Sequence, residues 1–304
     1  MKFDAVLIAG PTASGKTAAA LGVAEAIGGA IINADSMQIY RELRVLTARP
    51  SDGEKLRVEH YLFGHVGVRE HYSVGRYQTD ASRAFGEVRE KGKVPIFVGG
   101  TGLYFSALTE GLADIPPTTA SIRVNLRNHL ERVGNAAFHA ELMRRDPEMG
   151  AALRPSDTQR VLRAFEILEA TGRSLAVWQK GGGRAVLRGL ALAKFVLDVP
   201  REELRERIDL RFRAMFSQGA REEAAALTDL DPTLPATKIL GLRELNAARR
   251  GEITDEEAIA LAVTRTRQFA KRQNTWFRNR TPDWTRIPAG HGCNIIARIL
   301  TWFE

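Results

Sequence analysis

Eight consecutive residues near the start of the chain have the types and spacing that bind phosphate. The segment reads Gly10, Pro11, Thr12, Ala13, Ser14, Gly15, Lys16 and Thr17, which fits the pattern G-x-x-x-x-G-K-[ST] at every fixed position. The two glycines allow backbone conformations in which successive N–H groups converge on anionic oxygens. Lys16 adds a positive charge, and the Thr17 hydroxyl is placed to bind Mg²⁺. The segment therefore predicts a phosphate cradle, for a nucleoside triphosphate or an alkyl diphosphate.

A second group of polar residues lies where another apolar run ends. Asp35-Ser36-Met37-Gln38 brings a carboxylate, a hydroxyl and an amide together in the sequence. Carboxylates accept hydrogen bonds from exocyclic amines, and a glutamine amide both donates and accepts. The group therefore suits the edge of an adenine base. A purely local role stays open, in which Asp35 only caps the turn that follows it.

The elements that must position these groups alternate between short apolar runs and a longer helical pattern. Residues 6–9, 30–34 and 94–98 have the composition of buried strands, and residues 78–91 have a helical pattern. This alternation is typical of βαβ units, so we expect an α/β fold with a P-loop NTPase-like parallel sheet flanked by helices. Ligands of such sheets gather at the carboxyl ends of the strands. Asp35 and the Gly-rich segment 99–102 should therefore face the cradle.

Two consecutive prolines, Pro116 and Pro117, interrupt the alternation. From there to about residue 180 the sequence is helical in pattern, without a strand, and a strand pattern returns only at residues 195–199. We therefore predict a P-loop core with basic C-terminal helices, formed by residues 1–115 and 195–304. The intervening residues 116–194 are predicted to form an inserted all-helical lobe.

Capping signals predict where two of the longer helices begin. Ser156 and Gln159 have the spacing of a capping box, and Gly172 marks the end of that helix in the lobe. Thr254 opens a second capping box, after which a long basic helix extends to about Phe277.

Charge is unevenly distributed along the chain. The net charge is +8, and residues 116–194 hold 13 Lys and Arg against 7 Asp and Glu. Residues 265–286 hold 7 basic residues and a single acidic one. Segregated positive charge is typical of nucleic-acid binding.

The single cysteine, Cys293, allows no intrachain disulfide and favours a reducing compartment. No apolar run approaches the length of a membrane span. We therefore expect a cytoplasmic protein.

The phosphate cradle alone would predict a small-molecule kinase or another NTPase. The second acidic strand motif that such enzymes use to hold Mg²⁺ is not evident. Asp198 lies inside an apolar run, where a buried and paired structural acid is an equally good interpretation.

Five blocks of sequence together resemble the bacterial tRNA dimethylallyltransferases, also called tRNA isopentenyltransferases. The resemblance extends over about residues 5–280 with the blocks in order, and these are residues 10–17, 35–40, 95–104, 157–164 and 266–273. It implies transfer of a dimethylallyl group from dimethylallyl diphosphate to N6 of the adenosine on the 3′ side of the tRNA anticodon. The cradle would then hold the donor's diphosphate with Mg²⁺, and we expect a monomer whose partners are tRNA and this donor.

The same resemblance implies roles for individual residues. Asp35 would take the proton from N6, Lys16 and Arg211 would stabilise the departing diphosphate, and Thr101 would orient the adenosine. Contacts with tRNA are implied for a larger set, which comprises Asp35, Ser36, Met37, Gln38, Thr101, Arg123, Gln159, Arg160, Val161, Leu162 and Arg163.

Two departures from the family pattern bear on positioning of the donor. Arg49 stands where a lysine is usual, and Glu59-His60-Tyr61 replaces part of a Pro-His-His segment.

Three other functions stay open: an adenine-nucleotide prenyltransferase, a P-loop small-molecule kinase and a non-catalytic RNA-binding module. The first two would leave the basic lobe without a role, and the third would leave the cradle and Asp35 without one.

Overall fold

A six-stranded parallel sheet lies at the centre of the computed structural model, which describes residues 2–304. Its strands are β1 (Ala5–Ala9), β2 (Gly29–Asn33), β3 (His60–Tyr61), β4 (Val94–Gly99), β5 (Leu192–Asp198) and β6 (Thr285–Pro288). Their spatial order is β3-β2-β4-β1-β5-β6, and every neighbouring pair is parallel. The predicted α/β class is therefore confirmed. The two edge strands, β3 and β6, were not predicted because they are short and polar.

The helices account for most of the remaining chain. They are α1 (Lys16–Ile27), α2 (Asp52–Arg57), α3 (Val74–Glu90), α4 (Gly102–Thr109), α5 (Ala120–Arg145), α6 (Pro147–Ala152), α7 (Thr158–Thr171), α8 (Leu175–Lys180), α9 (Arg201–Met215), α10 (Arg221–Ala225), α11 (Leu242–Arg249), α12 (Asp255–Arg280) and α13 (Ile295–Leu300). A π-helical turn at Phe216–Ala220 joins α9 to α10, and a short 3₁₀ turn spans Pro235–Lys238. No helix within residues 2–304 has both the length and the apolar composition needed to span a bilayer.

The middle strands of the sheet are buried on both faces. Every residue of β1, β2 and β4 is buried, which their nearly continuous Val, Ile, Leu, Phe and Ala sequences produce in a parallel sheet covered by helices. Parallel pairing aligns the strands so that β1, β2 and β4 end at one edge. The phosphate cradle, Asp35 and the Gly99–Gly102 turn follow these three ends.

The chain divides into two compact units. One comprises Met1–Leu108 and Gly189–Glu304, and the other comprises Thr109–Arg188. These bounds differ by a few residues from those predicted, because β5 begins at Leu192, inside the predicted lobe of residues 116–194. The two ends of the second unit meet in an isolated bridge between Ala113 and Gly183. A Cβ on Gly183 would lie 1.7 Å from the carbonyl oxygen of Leu112, so only glycine fits there.

The second unit, which we call the lobe, has its own hydrophobic core. Helices α5, α6, α7 and α8 pack around Phe138, Phe165, Leu142 and Ile167, all fully or almost fully buried. The rings of Phe138 and Phe165 lie 4.5 Å apart between centroids. The structural bounds also change the charge of this unit, since Thr109–Arg188 holds 12 basic and 9 acidic residues.

Four local details test the sequence-based predictions. The capping box predicted at Ser156 is wrong. Asp157 occupies the cap position, because its carbonyl oxygen accepts the first helical bonds, from Arg160 N at 2.8 Å and from Val161 N at 3.0 Å. The Asp157 side chain makes no cap bond. The predicted stop at Gly172 and the capping box of Thr254 with Glu257 are confirmed. Asp198 is exposed rather than buried, because it is the last residue of β5.

Candidate active site

The phosphate cradle, residues 10–17, is the turn between β1 and α1. Ala13 and Gly15 have positive φ angles of 62° and 84°, and Ser14 N donates to Pro11 O at 3.3 Å. Alternating backbone conformations of this kind direct successive N–H groups to one side, at the positive end of α1. The Ser14 side chain is fully buried, and its hydroxyl oxygen has no hydrogen-bond partner within residues 2–304. The turn therefore has the geometry of an anion site.

Lys16 lies inside the cradle. Its side chain is 7 % exposed, and Nζ donates to the carbonyl oxygen of Pro11 at 3.2 Å. Burial lowers the pKa of Lys16 to about 8, with Arg211 adding to the decrease and the Asp35 carboxylate opposing it. Burial also lowers the pKa of Arg211, again opposed by Asp35. Lys16, Arg211 and Asp35 therefore form one charged cluster, although they come from α1, α9 and the loop after β2.

Local hydrogen bonds hold both the backbone and the side chain of Asp35. Its N–H donates to Asn33 Oδ1 at 2.9 Å, and its Oδ1 accepts from Met37 N at 3.0 Å. The second bond is the local turn cap that the sequence left open as an alternative. The other carboxylate oxygen faces Gly100, where an added Cβ would lie 3.2 Å from it. Asp35 thus caps its turn with one oxygen and has the other directed to the Gly-rich turn after β4.

Thr101 links the loop after β4 to the loop after β2. Its Oγ1 accepts from Ser36 N at 2.8 Å and donates to Ser36 Oγ at 3.1 Å, and its backbone N donates to Ala34 O. Both hydroxyls are only partly buried. The structure therefore brings Asp35, Ser36 and Thr101 together, as the sequence predicted from the ends of adjacent strands.

Gln38 is placed differently from its predicted role at an adenine edge. Its side chain is 8 % exposed, and Nε2 donates to the carbonyl oxygens of Thr47 and Ala48 at 3.0 and 2.9 Å. Because these bonds occupy the amide nitrogen, Gln38 holds the turn at residues 47–48 and does not present its N–H groups to a base.

A cavity of about 590 Å³ opens beside the cradle. Four cationic side chains line it, namely Lys16, Arg44, Arg49 and Arg211. Val45, Ala48, Ala214 and Met215 add apolar surface to the same cavity. Such a lining suits an anionic group that carries a short apolar tail. Arg44 and Arg49 were not among the predicted site residues, because only the tertiary structure places their loop over the cradle.

Glu223 of α10 holds this loop, which spans residues 44–51. Its carboxylate accepts from Val45 N at 2.9 Å and from Leu46 N at 2.8 Å, and also from Arg44 N. Three consecutive backbone N–H groups therefore converge on one side chain from a distant part of the sequence. No sequence motif marks this contact.

The two departures from the family pattern have different surroundings. Arg49 lines the cavity and donates to Arg41 O at 2.9 Å, next to Gly64, whose φ is 59°. Glu59 instead pairs with Lys91 and Lys93 at the outer sheet edge, where those contacts lower its pKa to about 2. Only the Arg49 departure therefore bears on the cavity.

The predicted RNA contacts of the lobe divide into exposed and buried residues. Arg123, Gln159 and Arg160 are exposed. Arg163 is half-buried and donates to Thr118 Oγ1 at 3.2 Å and to Glu166 Oε2 at 3.1 Å. Val161 and Leu162 are 1 % and 5 % exposed in the core of the lobe, so the predicted RNA contacts of their side chains are wrong.

The basic helix α12 has one face in the core and one exposed. Phe277 is 1 % exposed, and Trp276 packs so closely on Gly102 that an added Cβ there would lie 2.2 Å from the indole. Arg267, Lys271, Arg272, Arg278 and Arg280 are exposed. A cavity of about 930 Å³ between α9 and α12 is lined by several of these residues and has an apolar floor.

The donor atoms for a metal ion are few. No group of three His, Cys, Asp or Glu side chains suited to a metal occurs in the described part of the chain. The Thr17 hydroxyl is partly exposed and lines the cavity beside Lys16. This arrangement fits Mg²⁺, which commonly keeps several waters and binds largely through substrate phosphates.

Two family models match the chain. The model described as IPP transferase matches residues 38–280, and the one described as isopentenyl transferase matches residues 3–64.

Similar proteins of known name and structure support the same grouping. A tRNA dimethylallyltransferase of Azorhizobium caulinodans is 49 % identical over 290 residues, which cover 94 % of this chain and 92 % of that protein. One from Methylocella silvestris is 52 % identical over 285 residues, with 93 % and 94 % covered. The crystal structure of a tRNA isopentenylpyrophosphate transferase from Bacillus halodurans superposes with a TM-score of 0.69 at 32 % identity, with 98 % and 94 % covered. The structure of a eukaryotic dimethylallyltransferase acting on tRNA superposes with a TM-score of 0.79 at 26 % identity. The match covers 94 % of this chain and 74 % of that one.

Proposed function

Because the chain belongs to the tRNA dimethylallyltransferase family and is a prenyl-transferring enzyme, we propose that it transfers a dimethylallyl group from dimethylallyl diphosphate to N6 of the adenosine on the 3′ side of a tRNA anticodon. The observation that supports this best is the charged cluster of Lys16, Arg211 and Asp35, of which Lys16 and Arg211 line the cavity beside the cradle. It offers two cations for a diphosphate and one carboxylate for an amine proton.

The donor binds in the cavity beside the cradle. Backbone N–H groups of residues 13–17 and the Lys16 ammonium hold the diphosphate, and Arg211 contacts it from α9. The five-carbon tail packs against Val45, Ala48 and Met215. Binding of the donor's diphosphate would explain why a protein that transfers no phosphoryl group has a kinase-like cradle.

The chemical step exchanges one bond for another. The N6 lone pair forms a bond to C1 of the dimethylallyl group as the C1–O bond breaks, and pyrophosphate leaves with the bonding electrons. Asp35 accepts the proton that N6 loses, because N6 becomes more acidic as its lone pair enters the new bond. Lys16, Arg211 and the cradle amides stabilise the negative charge that develops on the diphosphate.

Mg²⁺ fits this site with the diphosphate as its main ligand. The Thr17 hydroxyl would hold the ion together with phosphate oxygens and water, and the ion would neutralise charge on the leaving group.

The acceptor adenosine must leave the base stack of the anticodon loop, which costs a few kcal/mol and is easiest in a loop. Asp35, Ser36, Met37 and Thr101 contact this nucleotide in the proposal. On the lobe, Arg123, Gln159, Arg160 and Arg163 contact the RNA backbone.

We further propose that the enzyme is cytoplasmic and acts as a monomer. Light scattering of the purified protein would test the oligomeric state.

Incubation with tRNA, Mg²⁺ and dimethylallyl diphosphate tests the proposal. We expect digestion and mass spectrometry to reveal N6-dimethylallyl adenosine at the position after the anticodon. AMP supplied in place of tRNA should give no product, and product from AMP alone would indicate a free-nucleotide prenyltransferase. Salt-sensitive tRNA binding without product would indicate an RNA-binding module, whereas phosphoryl transfer from ATP would indicate a kinase.

A further inference from the structure

One buried glutamine joins the phosphate cradle to the Gly-rich turn after β4. Gln273 lies in α12 and is 6 % exposed. Its Oε1 accepts from Thr12 N at 2.8 Å, and its Nε2 donates to Gly100 O at 2.8 Å. Thr12 belongs to the cradle, and Gly100 directly precedes Thr101. A single amide group therefore bridges the two loops.

The contact with Gly100 leaves no room for a side chain. A Cβ added to Gly100 would lie 2.2 Å from Gln273 Nε2 and 3.2 Å from Asp35 Oδ2. The amide of Gln273, the turn at Gly100 and the Asp35 carboxylate thus pack at one point. A displacement of Gln273 toward Gly100 would therefore push on the turn that carries Thr101, next to Asp35.

An amide side chain can make this bridge without adding charge. It offers an acceptor and a donor on one rigid plane, whereas a carboxylate only accepts and a thioether does neither to a useful extent. The bond to Gly100 O is also buried, so it does not exchange readily with water. One consequence is that the Thr12 amide is used by the protein and does not point at a phosphate.

We propose that Gln273 is a positioning residue that fixes the separation of the donor cradle and the acceptor loop, and that transmits occupancy of the cradle to the loop at residues 99–104. The proposal rests on the proposed function for the identity of the two substrates. The bridge itself is independent of that function, because it is made between two loops of the protein. In a bimolecular transfer, a displacement of about 1 Å between the reactants costs up to about 100-fold in rate.

The first test needs no turnover. Pyrophosphate is added to the wild-type chain and to Gln273→Met, and backbone hydrogen exchange is followed by mass spectrometry. We expect pyrophosphate to slow exchange in residues 99–104 of the wild type and to leave that segment unchanged in Gln273→Met. Gln273→Glu keeps an acceptor for Thr12 N but has no donor for Gly100 O, so it should lose the effect as well. Thr266→Val, on the same helix, should behave as the wild type, because the Thr266 hydroxyl donates to Ala262 O of its own helix, away from the bridge.

The second test separates positioning from binding. In Gln273→Met we expect kcat to fall about 10- to 100-fold at saturating substrates, with pyrophosphate affinity within about threefold of the wild type. If the wild type gives no prenylated tRNA, the proposed function fails, and the exchange experiment still decides the role of Gln273.

Three results would overturn the proposal. One is a pyrophosphate effect on residues 99–104 that persists in Gln273→Met, and another is an unchanged kcat in the folded variant. The third is failure of both Gln273→Met and Gln273→Glu to fold, since that would show a requirement for stability alone.

Discussion

Asp35 illustrates how much of the chemistry depends on a single side chain. In Asp35→Asn the cap to Met37 N can be kept, while the group that accepts the N6 proton is lost. We expect kcat to fall by about 10²- to 10⁴-fold, with the thermal unfolding midpoint little changed. Pyrophosphate affinity should stay the same or rise, because a negative charge near Lys16 and Arg211 has been removed. A rate within twofold of the wild type would exclude Asp35 as the base.

Lys16 makes donor binding depend on pH. Burial lowers its pKa to about 8, and an anion in the cradle favours the protonated form. Pyrophosphate affinity should therefore fall as pH rises, by on the order of tenfold between about pH 7.5 and about pH 9.5. Lys16→Arg keeps its charge over this range, so calorimetric titration of both proteins separates Lys16 from the ionisation of pyrophosphate itself. Parallel pH profiles in the two proteins would contradict this assignment.

The residues that sequence reasoning found and missed differ in how they are positioned. Lys16, Asp35 and Thr101 follow strand ends, so a local motif and the topology of a parallel sheet were enough to place them. Arg44 and Gln273 reach the site through a loop and a helix whose packing no short motif records. Met37 and Gln38 were placed by sequence adjacency, which did not reveal that the Gln38 amide holds residues 47–48.

At the scale of elements, the loop at residues 44–51 depends on one carboxylate. Glu223→Gln replaces an ionised acceptor of three backbone N–H groups by a weaker, neutral one. We expect the donor KM to rise about 3- to 10-fold, with a smaller change in kcat, and the free energy of unfolding to fall by about 1–3 kcal/mol. Steady-state kinetics and thermal unfolding measure both. Glu222→Gln, an exposed neighbour on the same helix, is the matched control.

Equal effects of the two glutamate substitutions would show that Glu223 does not control the loop. A loss of stability without any change in donor KM would place its effect outside the donor site.

Long, strongly patterned elements were predicted well from sequence, and their ends were predicted less well. Strands β1, β2 and β4 are continuous apolar runs, and α12 begins at the predicted capping box. The start of α7 was misplaced because Ser156 and Asp157 both have cap-forming side chains, and the backbone decided between them. Strands β3 and β6 are held by pairing with a neighbour, which their composition does not indicate.

At the scale of the whole molecule, positive charge should set the affinity for tRNA. Arg160 is exposed on α7 and forms no ion pair within residues 2–304, so it is available to a phosphate. Arg160→Ala should weaken tRNA binding about 3- to 10-fold and reduce the slope of log affinity against log salt by about one. Filter binding at several salt concentrations measures both.

Arg163→Ala should differ from Arg160→Ala in a defined way. It also removes the bonds to Thr118 and to Glu166, which is 8 % exposed, and so leaves a buried carboxylate without its partner. We therefore expect this variant to lower thermal stability as well as affinity. Equal stability of the two variants would contradict the ion pair seen in the lobe.

The bridge at Gln273 also has a consequence for how the chain is made. Thr12 and Gln273 are separated by 261 positions, so a ribosome releases the anion-binding turn long before it adds the glutamine that completes it. A nascent polypeptide stalled before α12 would carry every motif residue of the cradle. It would still lack the side chain that joins the cradle to the turn at Gly100. The cradle therefore reaches its final geometry only after the chain has been synthesised beyond residue 273.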